Sequence, residues 1–185
     1  GLAPRVLGFV ITIPLVFPPV ALGSMLLTAL GRTSLVGGAL EPFGLSLIFN
    51  ETAVALAGFI AGLPLVVRPL QAAFASPRLI ELEEAVRIHG ASRRDVFLRV
   101  TLPLVRPSLA AALLLGCARV SGEVGITMML GGNISERTNT LSLEIFNAVS
   151  HADFDAANAL CLLLSLFAAV IFLAAELLIR RSPRL

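Results

Sequence analysis

The 185-residue chain contains no lysine, no tryptophan and no tyrosine, and few charges of either sign. A loop that cradles nucleotide phosphates ends in Gly-Lys followed by Ser or Thr, the lysine contacting the transferred phosphate. With no lysine among these residues, such a motor is excluded from them. The missing Trp and Tyr remove the aromatic belt that commonly anchors membrane helices at the headgroups, which leaves Arg and Phe to set depth. Cys117 and Cys161, the only cysteines, make neither a disulfide framework nor a metal cluster. Both fall in apolar stretches, where a thiol behaves as a small hydrophobe. Only 14% of the residues are charged, against about 25% in an ordinary soluble domain, and 57% are hydrophobic. That composition belongs to an integral membrane protein.

Residues 6–31 lie between Arg5 and Arg32 without a charge. As a helix they extend about 39 Å, enough to cross a hydrocarbon core of about 30 Å. A first span is expected there, kinked by Pro14, Pro18 and Pro19 and facing protein that satisfies the freed carbonyls. The run is too long for a secretory signal. Thr33 to Asn50, punctuated by Gly37, Gly38, Pro42 and Gly44, reads as a loop with a short interfacial piece. A second span is expected over 52–73, with Pro64 inside it and Arg68 able to snorkel near its end. A polar stretch, 76–106, comes next. The third span is placed at 104–130 and has to run through Arg119 and Glu123, because Pro107 to Ala118 alone gives only about 18 Å of helix. Beyond Gly131-Gly132-Asn133, the residues Leu141, Ile145, Phe146 and Val149 recur at helical spacing, as in a short amphipathic helix. Asp153 or Asp155 can cap the last span, 156–179. The expected fold is an all-α polytopic helix bundle, one transmembrane domain over 1–185.

The arginines orient it. With four spans and the N-terminus inside, the cytoplasmic side receives Arg5, the seven from Arg68 to Arg106, and Arg180, Arg181 and Arg184, while the outside receives Arg32 and Arg137. Positive charge favours the cytoplasmic loops, so the polar stretch is cytoplasmic. Within it, residues 79–89 are good helix formers, with Leu82, Ala85, Val86 and His89 along one stripe. Gly90 is a helix terminator. Ser92 and Asp95 make a start close to a capping box, followed by Val96, Phe97 and Val100. Two short helices joined by a tight turn are expected, one bearing Glu84 and the other a row of arginines.

The order Glu84-Ala85, four residues, Gly90, nine residues, Val100, one residue, Leu102-Pro103 resembles the EAA signature of permease subunits of binding-protein-dependent ABC importers. Val86 stands where that signature has a second Ala, and Val100 where it has Ile. The resemblance implies a type I permease bundle whose loop at 76–106 carries a coupling helix, with Glu84, Ala85, Gly90, Ala91, Leu102 and Pro103 serving contact with an ATPase subunit. Pro14-Leu15-Val16-Phe17-Pro18-Pro19-Val20, Gly122-Glu123-Val124-Gly125, and Gly132-Asn133-Ile134 with Arg137-Thr138-Asn139-Thr140-Leu141 look like the molybdate permeases, with tungstate and sulfate permeases close behind. The implied partners are a second permease copy, two ATP-binding cassette subunits, an external substrate-binding protein and the lipid of a bacterial or archaeal cytoplasmic membrane. Such permeases carry a further N-terminal helix, expected upstream of residue 1. No enzymatic chemistry, cofactor, metal or nucleic-acid partner is implied.

Arg119 and Glu123 lie four residues apart within the presumed bilayer, where either alone is costly, so they are expected to pair. They either line the path of a dianion or tie helices together. Asn133 and Arg137 read as outer-loop residues near the docked binding protein. His89 and His151 are single, which disfavours a metal site. Two rival classes are a membrane-embedded enzyme, which would need Glu123 and a histidine to converge, and a secondary transporter, which should show internal repeats that these spans lack.

Overall fold

The computed structural model describes residues 2–180, without the side chains of 2–5, 175 and 178–180. Of the arginines that orient the chain, Arg181, Arg184 and the side chains of Arg5 and Arg180 lie outside the described residues. Among the described residues the fold is all-helical: α1 (Leu2–Val16), α2 (Pro19–Leu30), α3 (Leu35–Leu40), α4 (Glu51–Phe74), α5 (Pro77–Ile88), α6 (Arg93–Val96), α7 (Leu102–Ser121), α8 (Gly125–Gly131), α9 (Leu141–Ser150) and α10 (Phe154–Arg180). A single 3-10 turn, Glu41–Phe43, continues α3, and a π-helical turn, Phe97–Thr101, joins α6 to α7.

Three helical stretches are long and apolar enough to cross a membrane: Glu51–Phe74, Arg93–Ser121 and Phe154–Ala174. A fourth forms if Pro19–Leu30 and Leu35–Phe43, bent by 47°, count as one broken span. The single span expected over 6–31 is therefore corrected to two helices. A proline disfavours the α region for the residue before it; Pro14 is tolerated inside α1, but Pro18-Pro19 imposes the restriction twice in succession. Pro18 is extended (φ −57°, ψ 130°) and Pro19 starts a new helix, where its missing N–H costs nothing. The span expected over 104–130 also breaks: α7 ends at Ser121, and α8 restarts at Gly125.

Helix α4 is the hub, packing on α7, α8 and α1. Its inner face is built of small residues: Ala53, Ala57 and Ala61 at four-residue intervals are fully buried, beside Gly58 and Gly62. In lipid there is no hydrophobic force between helices, so close backbone approach and dispersion hold them. A Cβ on Gly62 would lie 2.8 Å from a Val120 methyl, and one on Gly116 would lie 2.7 Å from a Val66 methyl. Leu22, Ile126 and Leu130 complete this core. Arg68 is exposed near the end of α4. Its guanidinium donates to the Gly8 carbonyl at 3.1 Å and to the Thr12 hydroxyl, tying α4 to α1. Helix α10 packs on α7 and α9 and leaves most of its apolar surface outward for lipid or a partner.

Candidate coupling surface and membrane path

Helix α5 ends where Gly90 takes φ 85°, a left-handed conformation that glycine adopts without a Cβ penalty. Ser92 then caps α6: its hydroxyl accepts from the Asp95 N–H at 3.2 Å and donates to the Asp95 carboxylate at 2.6 Å. The turn projects from the end of the bundle at which α4 terminates. The buried face of α5 differs from the stripe expected. Leu79 is buried and Glu83 and Val86 are half-buried, whereas Leu82 and Ala85 are exposed and Ile88 is 83% exposed. The polar Glu83 turns inward because the Thr101 hydroxyl donates to it and Arg87 pairs with it at 3.7 Å.

Motif residues divide between two places. Glu84, Ala85, Gly90 and the half-buried Ala91 lie on the projecting turn, while Leu102 and Pro103 open α7 behind it. The π turn explains that position. Pro103 has no N–H, and its ring would crowd the carbonyl four residues back. Widening the preceding turn, so that the Leu102 N–H bonds to Phe97, relieves the ladder there. A cleft of 470 Å³ lined by Phe74, Arg87, Arg93, Val96 and Phe97, with Glu83 and Thr101 among them, opens beside α6. Exposed apolar groups rimmed by arginines suit a protein partner more than open solvent.

The second motif lies at the α7–α8 break. Arg119 and Glu123 pair at 2.7 Å, with 28% and 2% of their side chains exposed. The other carboxylate oxygen of Glu123 accepts from the Ile126 N–H at 2.8 Å, capping the first turn of α8. Both carboxylate oxygens are thus engaged, and Glu123 links the end of α7 to the start of α8. The quoted motifs meet here in space: a Cβ on Gly125 would lie 2.7 Å from Cβ of Pro19 and 2.8 Å from the Val20 nitrogen, so α2 and α8 touch backbone to backbone. The Ser142 hydroxyl donates to the Ser121 carbonyl, fixing α9 against the same break.

At the opposite end of α4, Asn133 does not hang free. It takes φ 50° and its amide donates to Asn147 of α9 at 2.7 Å. The buried Thr138 hydroxyl accepts from the Ile134 N–H and donates to the Gly131 carbonyl, both at 2.8 Å, which holds the loop in one shape. Arg137, exposed, emerges from that loop toward Arg32, and the two line one cavity. The amide clamp, the Glu123 cap and the Arg68 tether escape sequence reading, the first and last because they join residues far apart in the chain. The Glu123 cap alone has a local signal: an acid three residues ahead of a helical N–H. Among the described residues no group of three or more His, Cys, Asp or Glu gathers to hold a metal. Neither histidine approaches Glu123; each ring bonds the carbonyl four residues back in its own helix.

Residues 2–184 match the family model described as binding-protein-dependent transport system inner membrane component. The chain is 37% identical to the molybdenum transport system permease protein ModB of Haemophilus influenzae over 177 residues, 95% of this chain and 77% of that protein. It is 37% identical to the ModB of Azotobacter vinelandii over 155 residues, 82% of this chain and 67% of the relative. With the ModB of Mycobacterium bovis it shares 41% over 169 residues, 91% of this chain but 63% of that one, so the chain spans roughly two thirds of its relatives' length.

Proposed function

The chain belongs to the family of binding-protein-dependent transport system inner membrane components, and from that premise we propose that it is the membrane-spanning permease subunit of an ATP-driven molybdate importer. The projecting turn from α5 through Gly90 to α6 carries the reading, joined to the molybdenum-transport naming of relatives up to 41% identical. With no lysine to contact a transferred phosphate, the chain leaves nucleotide hydrolysis to another subunit. Two such ATPase subunits, a second permease copy and an external binding protein complete the assembly, in the cytoplasmic membrane of a bacterium or archaeon.

Glu84, Ala85, Gly90 and Ala91 form the surface that sits on the ATPase subunit. Leu102 and Pro103 act behind it as the rigid junction that passes its displacement to α7. Because α7 and α4 are packed through Gly62 and Gly116 without slack, a shift of the turn moves the core of the bundle rather than bending one helix. Arg119 and Glu123 serve as a structural pair across the α7–α8 break. Their charges cancel, and a carboxylate already holding a helix N-terminus presents no repulsive barrier to an anion. Asn133 shapes the outer loop that meets the binding protein, from which Arg137 projects.

Reconstitution tests the reading. The chain, co-expressed with its ATPase and binding protein and placed in liposomes, is expected to import molybdate only with ATP, and Glu84→Lys is expected to release the ATPase. Uptake without nucleotide would overturn it, and competition among molybdate, tungstate and sulfate would reassign the anion within the same mechanism.

A further inference from the structure

At the end of the bundle remote from the α5–α6 turn, a cavity of 650 Å³ opens among the C-terminus of α2, the segment before α4 and the loop after α8. Arg32, Thr33, Ser46, Phe49, Asn50 and Arg137 are among its lining residues. At about 30 Å³ per water, that space takes a small anion with much of its hydration. The walls are fixed to one another. The Phe49 N–H donates to the Leu130 carbonyl at 2.7 Å, Asn50 caps α4 by accepting from Ala53 at 2.8 Å, and Thr138 locks the turn that carries Arg137.

The two arginines come from segments far apart in sequence, and neither guanidinium has a hydrogen-bond or ion-pair partner within the described residues. Arg68, Arg87, Arg99 and Arg119 are engaged; Arg78, Arg93, Arg94 and Arg106 are likewise unpaired among the described residues, and what sets Arg32 and Arg137 apart is that they share one cavity. No carboxylate lines the cavity; Glu41 lies in the neighbouring recess of 150 Å³, Glu51 sits in the first turn of α4 and Glu136 precedes Arg137. Guanidinium forks match the oxygen geometry of a tetrahedral oxyanion and attract it through the cleft's field.

Resting on the functional reading above, we propose that Arg32 and Arg137 form an outer receiving subsite for a tetrahedral oxyanion, which holds the dianion ahead of the membrane-embedded path. The charge there serves the small anion, in a concave site, rather than an acidic protein surface.

The test uses the intact permease–ATPase complex without binding protein and the arginine reagent phenylglyoxal, with peptide mass spectrometry reading each site. Molybdate and sulfate are compared with chloride at matched ionic strength, since screening alone slows charged-site chemistry. Arg32 and Arg137 are expected to react about tenfold more slowly once the oxyanion reaches ten times its binding midpoint, as mass action requires, with the exposed Arg106 of α7 unchanged. R32Q should abolish the protection of Arg137 and R32K should retain part of it. Equal modification with and without either oxyanion overturns the subsite. So does protection that appears only when binding protein is added, whatever the anion, for that outcome assigns the arginines to protein docking. Molybdate uptake is measured in parallel on the same wild-type complex in liposomes, with its binding protein supplied. Uptake without protection removes the subsite alone, and protection without ATP-driven uptake removes the functional reading alone.

Discussion

The Glu123 carboxylate, with 2% of its side chain exposed, meets two demands at once: a charge partner for Arg119 and an acceptor for the first turn of α8. The two can be separated by substitution. Glu123→Gln keeps an acceptor for the Ile126 N–H and leaves Arg119, which is 28% exposed, able to find water or headgroups. Arg119→Gln instead strands a buried carboxylate, and breaking a buried pair from that side costs about 3–5 kcal/mol. Glu123→Ala loses the cap as well, worth about 1 kcal/mol. The expected order of destabilisation is R119Q, then E123A, then E123Q, read as thermal loss of monodisperse complex in detergent. If Arg119 instead served the anion path, R119Q would abolish uptake while leaving the melting temperature unchanged, and that result would sink the structural assignment.

Among the helices, sequence reading and geometry part at specific places. The span that became α4 and the pair α5–α6 were legible, because a long apolar run and a Gly90 terminator with a Ser92 cap are local signals. At Pro18 a kink was legible but not a full break, and the break at Gly122 was not legible at all. Charge-free length measures what can cross a bilayer, whereas where a helix stops depends on which neighbour satisfies its ends, and Glu123 supplies that only in the folded chain. The buried face of α5 was misassigned for a similar reason, since hydrophobic periodicity cannot foresee that Glu83 turns inward to Thr101. The motif residues Pro19 and Gly125 were readable as a resemblance, but their contact was not. That contact carries a prediction. Gly125→Ala meets the backbone of α2 and has nowhere to go, whereas Gly58→Ala meets only a Val120 methyl at 2.9 Å, which can rotate. Overpacking typically costs about 1–3 kcal/mol, so G125A is expected to lower the melting temperature clearly and G58A much less. Val120→Ala should restore a G58A loss and leave a G125A loss untouched; rescue of both by that change would refute backbone contact as the cause.

For the whole molecule, the two ends of the bundle carry unlike surfaces, and the arginine asymmetry predicts which faces the cytoplasm. The α5–α6 turn gathers Arg78, Arg87, Arg93, Arg94 and Arg99 around exposed Ile88 and Phe97, while among the described residues the opposite end holds Arg32 and Arg137 beside an open cavity. Both functional proposals depend on that orientation, because an ATPase is reachable only from inside and an arriving anion only from outside. Native Cys117 and Cys161 are exposed on the isolated chain, so both must first become Ser. Single cysteines are then placed at Ser34, near the cavity, and at Arg94, on the turn. A membrane-impermeant maleimide applied to intact cells is expected to label the first and to reach the second only after the membrane is opened. Assembly with the ATPase should then shield position 94 even in opened membranes, and leave position 34 as reactive as before. The reverse pattern would invert the bundle, and with it the assignment of the projecting turn to an ATP-driven partner and of the arginine-lined cavity to the incoming anion.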